Sequence, residues 1–368
     1  MAESGKYAAV ESVRIAAYSI PTDAPESDGT LVWNATTLLV ARIRAAGIDG
    51  LGYGYADTAT ARLIADKLGP LLIGMDAFDI PACWIAMQRA IRNLGRQGIA
   101  AMAISVLDIA LWDLKARCLD ASLVTLLGRV RDCIPAYGSG GFTSYDDVHL
   151  RAQLSGWAEV GLHAVKMKVG RDSARDHARV IFAREAVGSG VELFVDANGA
   201  YTRKQALMLA EQFAVQGVRW FEEPVSSDDL EGLRLLRDRA PVGMDIAAGE
   251  YGYESNYFSR MLSAGAVDVL QADATRCGGI TGFLQADALC ISHCTPLSSH
   301  CAPALHVALC CAAQSVMHLE YFHDHVRIEN MLFDGVPQLV DGSLAPQTAR
   351  PGLGLDFKEQ DATCFQVM

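Results

Sequence analysis

From about residue 131 to residue 326 the chain repeats one pattern: a short apolar run, a polar turn, then a longer amphipathic stretch. The apolar runs fall at 134–138, 163–169, 191–197, 218–223, 243–249, 267–272, 295–299 and 316–321. The stretches between them, such as 175–186 and 202–214, have helical spacing; in the second, Arg203, Lys204 and Glu211 oppose an apolar side. Short apolar strands joined by helical crossovers predict parallel βαβ units. Eight of them, each of about 20–30 residues, fit a closed α/β barrel better than an open sheet.

The first 130 residues read differently. Strands are predicted at 11–20 and 35–45, with a turn at Gly47-Ile48-Asp49-Gly50. A helix is predicted at 99–114, with Asp108 and Asp113 at positions compatible with solvent. The expected division is an N-terminal α+β capping domain at 1–130, completed by about 327–368, and a barrel at 131–326. Pro346, Pro351, Gly352 and Gly354 mark the returning tail.

Composition narrows the function. With 368 residues, 51% of them hydrophobic, a large core is affordable and disorder is excluded. A formal charge of −12 argues against a nucleic-acid partner. The ten cysteines include no CxxC pair, so reduced thiols in a cytoplasmic protein are expected. Met1 to Val10 lacks the apolar stretch of a signal peptide. The uncharged stretch 288–319 is broken by Pro296, Pro303 and four histidines, which argues for buried strands and a helix rather than a membrane span. A homo-oligomer acting on a small molecule is expected.

The tips of the proposed strands carry the chemistry, because in such barrels they line the site. In order they are Lys166 and Lys168, Asp196, Glu222, Glu250, Asp273, His300 and Glu320, spaced one βα unit apart from Lys168 onward. Asp196, Glu222 and Glu250 end consecutive strands. Three converging carboxylates repel unless a cation joins them, and an all-oxygen set without Cys or His suits Mg²⁺ rather than zinc. Lys166 and Lys168, at i and i+2, share one face of a strand. Mutual repulsion is expected to depress both, and bringing a lysine from about 10.4 to near 7 takes roughly 4–5 kcal/mol. His300 with Asp273 one strand away suggests an oriented imidazole. Glu320 is expected to donate a proton to substrate if burial raises its pKa. His318, His323, Asp324 and His325 read as a polar loop and helix start.

Val165-Lys166-Met167-Lys168, Val195-Asp196-Ala197-Asn198, Trp220-Phe221-Glu222-Glu223-Pro224, Gly249-Glu250, Gln271-Ala272-Asp273 with Gly278-Gly279-Ile280-Thr281, and Ser299-His300 together resemble the enolase superfamily, mandelate racemase subgroup. The segment 103–113 is similar to a helix of that family's capping region. The resemblance implies a (β/α)₇β barrel with an α+β cap, and Mg²⁺ on Asp196, Glu222 and Glu250. It implies abstraction of the proton α to a carboxylate. Lys168 would be one base, Lys166 its modulator, His300–Asp273 a second base or acid, and Glu320 the electrophilic acid. Superfamily use of a Lys or His base with Mg²⁺ is established. Asn198 stands where some sugar-acid dehydratases of the family carry a histidine, which leaves protonation of the leaving group to His300.

Two reactions fit: dehydration of a sugar acid to a 2-keto-3-deoxy acid, which is expected, and racemisation or epimerisation of a 2-hydroxy acid. Polar residues between Thr22 and Trp33 (Asp23, Glu26, Ser27, Asp28, Thr30) suit a polyol, and Asn198 and Ser139 are expected to contact substrate. A non-catalytic metal-binding protein would leave the flanking bases without a purpose.

Overall fold

The structure, a computed structural model, describes residues 8–368; the expectations for Met1 to Tyr7 lie outside the described residues. Three antiparallel strands open the chain: β1 (Val10–Ser27), β2 (Val32–Ala45) and β3 (Ile48–Tyr55). The β2–β3 turn is Ala46-Gly47 alone, with both residues at positive φ (50° and 74°), so the predicted turn was placed too late. Gly50 lies inside β3 for a different reason. A Cβ at Gly52, on the same face, would sit 2.1 Å from Val106 O, so these glycines let the helix Ile99–Cys118 lie against the sheet.

That helix corrects the expectation for its two aspartates. Asp108 and Asp113 are fully buried. Asp108 accepts from Thr281 N (2.9 Å) and Thr281 Oγ1 (2.7 Å), and Asp113 accepts from Leu51 N, Leu353 N and Arg117 Nε. They join the N-terminal sheet, the barrel and the C-terminal tail, and buried carboxylates persist because every such bond is made.

Eight parallel strands follow: β4 (Ile134–Gly140), β5 (Ala164–Lys168), β6 (Glu192–Asp196), β7 (Val218–Glu222), β8 (Asp245–Ala248), β9 (Val269–Ala272), β10 (Leu297–Ser299) and β11 (Val316–Phe322). They pair in chain order, and β11 closes on β4. Helices follow the strands, and the uncharged 288–319 stretch becomes the end of helix Gly279–Ser292, β10, helix Pro303–Ala312 and part of β11. Among the described residues no helix is long and apolar enough to cross a membrane. All ten cysteines are free thiols.

The tail returns to both parts of the chain. Ser343–Leu344 pairs with the start of β4, and Val367 N donates to Ala17 O (2.8 Å). The β1–β2 hairpin hangs over the C-terminal ends of the barrel strands. Asp28 caps its tip by accepting from Thr30 N and Leu31 N, and Ser27 O accepts from Thr143 N in the loop after β4.

Candidate functional site

Parallel pairing brings the predicted residues level. Lys168 stands opposite Asp196, and Asp196 opposite Glu222, in adjacent strands. One oxygen from each of Asp196, Glu222 and Glu250 lies within 4.8 Å of the others, and all three side chains are buried. Glu222 Oε1 and Glu250 Oε2 accept no hydrogen bond. Three hard oxygen donors, two of them on carboxylates with an unbonded oxygen, are a fit for Mg²⁺, which prefers carboxylates and keeps positions for substrate or water.

The lysines depart from expectation. Lys166 Nζ is 2.7 Å from Glu222 Oε2 and 2.8 Å from Glu320 Oε1; Lys168 Nζ is 2.5 Å from Asp196 Oδ2. Burial pushes each ammonium toward neutrality, but these carboxylates outweigh it and hold both pKa values above the ordinary lysine range. Repulsion between the lysines does oppose the rise at Lys168, yet it is the smaller effect. Glu320 also departs from expectation. Burial would raise it, but Lys166 and His300 hold its carboxyl well below the usual range, so it is an acceptor rather than an acid. Burial and Asp196 push Glu222 up to about 8.

Asp273 and His300 meet as expected. His300 Nδ1 donates to Asp273 Oδ2 (2.8 Å), while Asp273 Oδ1 accepts from Thr275 N and Oγ1 (both 2.7 Å). The ring is thereby fixed with Nε2 toward the cavity, 3.3 Å from Glu250 Oε2. Burial would lower His300, but Cys301, Glu250 and Glu320 hold it well above its ordinary value.

These groups open into a cavity of about 400 Å³. Lys168, Asn198, Glu250, His300 and Glu320 line its barrel side; Asp28, Leu31, Trp33, Thr37 and Tyr55 line the other. A larger depression of about 500 Å³ beside Arg184 and Glu192, at the opposite strand ends, contains none of them. Asn198 thus reaches the cavity, at φ 46° and with Oδ1 unbonded. Ser139 is placed elsewhere: fully buried, it donates from Oγ to Glu320 Oε1 (2.6 Å). Of the expected polar segment, Asp28 lines the cavity, whereas Glu26 is buried and bonded to Trp33 Nε1. Asp23 instead pairs with His323 (2.9 Å).

Sequence reasoning missed several lining residues, among them Arg276, Tyr55, His325 and Cys301. Arg276 contacts the backbone oxygen and Oε1 of Glu250; its place three residues after Asp273 was the available signal. Tyr55 comes from the overlooked β3. His325, expected in a mere polar loop, stacks on Tyr55 (3.4 Å between ring centroids), and burial pushes it down to about 3, leaving it neutral. Cys301 follows His300 directly, at φ 52°.

Known proteins resemble this chain over most of its length. Residues 13–128 match the mandelate racemase / muconate lactonizing enzyme N-terminal domain, and residues 149–361 match the enolase C-terminal domain-like family. A mandelate racemase/muconate lactonizing enzyme-like protein from Rubrobacter xylanophilus superposes with a TM-score of 0.95 at 53% identity, over 97% of this chain and 99% of that one. A Streptomyces coelicolor racemase with bound magnesium gives a TM-score of 0.92 at 30% identity, covering 97% and 100%. L-talarate/galactarate dehydratase of Salmonella typhimurium is 33% identical over 365 residues, covering 95% of this chain and 89% of that protein. Its structure with Mg and L-lyxarohydroxamate gives a TM-score of 0.89 over 100% and 96% of the chains.

Proposed function

Because the chain belongs to the mandelate racemase/muconate lactonizing enzyme family of the enolase superfamily, we propose that it removes the proton α to a sugar-acid carboxylate and expels the β-hydroxyl, giving a 2-keto-3-deoxy acid. One observation carries this reading. The oxygen cluster of Asp196, Glu222 and Glu250 is flanked by the Lys168 ammonium on one side and the His300 imidazole on the other.

Asp196, Glu222 and Glu250 would hold Mg²⁺, with the barrel at 131–326 supplying the chemistry and the cap at 1–130, completed by 327–368, selecting substrate through its residues at the cavity, such as Asp28, Leu31 and Trp33. When bound, the ion supplies a Lewis-acid charge that stabilises the anion formed as the α-proton leaves. Lys168 Nζ, bonded to Asp196 while it is an ammonium, acts as the base in its neutral form: it gives its extra proton to solvent as Asp196 takes up the ion, and then takes the α-proton from one face. The Lys166 charge favours that release. His300, held protonated, delivers a proton from Nε2 to the departing hydroxyl, and Asp273 keeps the ring aimed. Glu320 anchors Lys166 and the Cys301 amide, the latter at 2.8 Å. Thr37, Asn198 and Asp28 give the cavity hydroxyl-binding character.

A second reading is racemisation, in which Lys168 and His300 exchange one proton across the carbon. Leu31 and Trp33 favour it by giving the cap side an apolar surface. Screening mono- and diacid sugars for keto product, with polarimetry in parallel, separates the two. Keto product from wild-type enzyme supports dehydration; inversion without keto product overturns it. In a dehydratase whose base is Lys168, His300→Asn should lose roughly 10²–10⁴-fold in elimination.

A further inference from the structure

The loop after β10 gathers a second set of metal-ligating atoms, of a different character from the carboxylate cluster. His300 Nε2, Cys301 Sγ and a Glu320 carboxylate oxygen all lie within 4.8 Å of one another. The residues are 6%, 4% and 1% exposed, and all three line the cavity. Sγ is 3.3 Å from Nε2, and Nε2 is 3.9 Å from Glu320 Oε2. With ordinary zinc bond lengths, a tetrahedral S,N,O set has ligand–ligand separations of about 3.4–3.6 Å. The Sγ–Nε2 and Nε2–Oε2 separations bracket this range, and the Sγ–carboxylate separation is within 4.8 Å.

The surroundings suit such an ion. His300 Nδ1 donates to Asp273 Oδ2, the carboxylate–histidine arrangement that orients zinc-binding imidazoles and strengthens their basicity. Glu320 Oε1 is tied to Lys166 and Ser139, and the amide of Cys301 fixes Oε2, so the carboxylate is preset. The thiol sets the selectivity. Sulfur and imidazole prefer Zn²⁺, whereas Mg²⁺ prefers an all-oxygen set such as Asp196, Glu222 and Glu250.

We propose that His300, Cys301 and Glu320 form a site for a thiophilic divalent cation, Zn²⁺ foremost, whose binding displaces the His300 Nε2 and Cys301 Sγ protons to solvent and so blocks the reaction by removing the acid. The metal site stands on its own geometry; only the inhibition rests on the proposed function.

Titration of the full-length, Mg²⁺-saturated protein with Co²⁺ tests it through the thiolate-to-cobalt charge-transfer absorption. Wild type should develop the band at one equivalent and lose it on adding Zn²⁺. Cys301→Ser should show no band, Cys290→Ser should keep it, and Asp273→Asn should weaken binding about 10–100-fold. Should Cys301→Ser fail to fold by circular dichroism, anomalous diffraction at the zinc edge locates the ion in wild-type crystals. A band that survives in folded Cys301→Ser, or zinc found only on Asp196, Glu222 and Glu250, overturns the site. In turnover assays Zn²⁺ should cost roughly 10²–10⁴-fold, as expected for loss of an acid–base group. A full band without loss of turnover supports the site and overturns the inhibition.

Discussion

On β6, β7 and β11 the side chains of Phe194, Trp220 and His318 fill the lower level of the barrel, while Asp196, Glu222 and Glu320, two residues further along, form the upper level. The lower level is an aromatic plug. Phe194 stacks on Trp220 (5.4 Å between centroids), and Tyr137 and His318 pack on their edges. The upper level holds ion pairs on the same backbone. Its histidine has the opposite fate as well: burial and the Lys166 charge push His318 down to about 4, whereas carboxylates and a thiol hold His300 up. The lower histidine shares one hydrogen bond with Ser298 and finds no partner for Nε2. Burial is common to both levels, so burial does not make the upper one reactive. Charged neighbours brought level by parallel pairing do.

Exchanging one atom in the upper level should have the largest effect. Glu222→Gln removes a proposed metal ligand and a partner of Lys166. Turnover should fall on the order of 10³-fold or more, and Mg²⁺ affinity with it, by steady-state kinetics and titration calorimetry. Unchanged Mg²⁺ affinity would remove Glu222 from the metal site. In the lower level, Phe194→Ala should cost about 3–5 kcal/mol of stability by denaturant unfolding, with Mg²⁺ affinity retained in the folded protein. Loss of Mg²⁺ binding at full stability would erase the distinction between the levels.

The upper level was legible in the sequence because each strand ends on the residue it delivers, one βα unit from the next. What the sequence hid was who stands beside whom. Lys166 and Lys168 are neighbours in the chain, so their repulsion was overrated; register sets Lys168 against Asp196, and attraction wins. Gly50, Gly52 and Gly54 concealed β3, and with it Tyr55, because glycines that admit a helix read locally as turn residues. Asp108 looked solvated because the helical pattern alone cannot show that Thr281 covers it.

That interface offers a smaller test. Asp108→Ala leaves the part-buried Thr281 N–H and hydroxyl without this partner and should cost about 1–3 kcal/mol. A change within 0.3 kcal/mol, roughly the limit of additivity, would mean that water satisfies them. The smallest effect should come from Glu329, which accepts from Tyr53 Oη and Ala304 N. Burial raises its pKa to about 8. A raised carboxyl contributes stability that is complete below its ordinary value of 4.5 and lost as pH rises through about 8. Glu329→Gln should therefore flatten the fall in Tm between pH 5 and pH 8 by at least about 2 °C, measured by calorimetry. An identical fall in the two proteins would mean that Glu329 is ionised throughout.

Exchange of the α-proton in D₂O, followed by NMR for substrates found in the sugar-acid screen, tests the central claim most directly. The wild-type protein loaded with Mg²⁺ should wash deuterium into the α-position or into the product. Exhaustive chelation should stop this and Mg²⁺ should restore it. Lys168→Ala and His300→Asn together should abolish it, while the chain stays folded by circular dichroism. Exchange at the wild-type rate after chelation, or in the double variant, would contradict the assignment of the barrel mouth to metal-assisted proton abstraction.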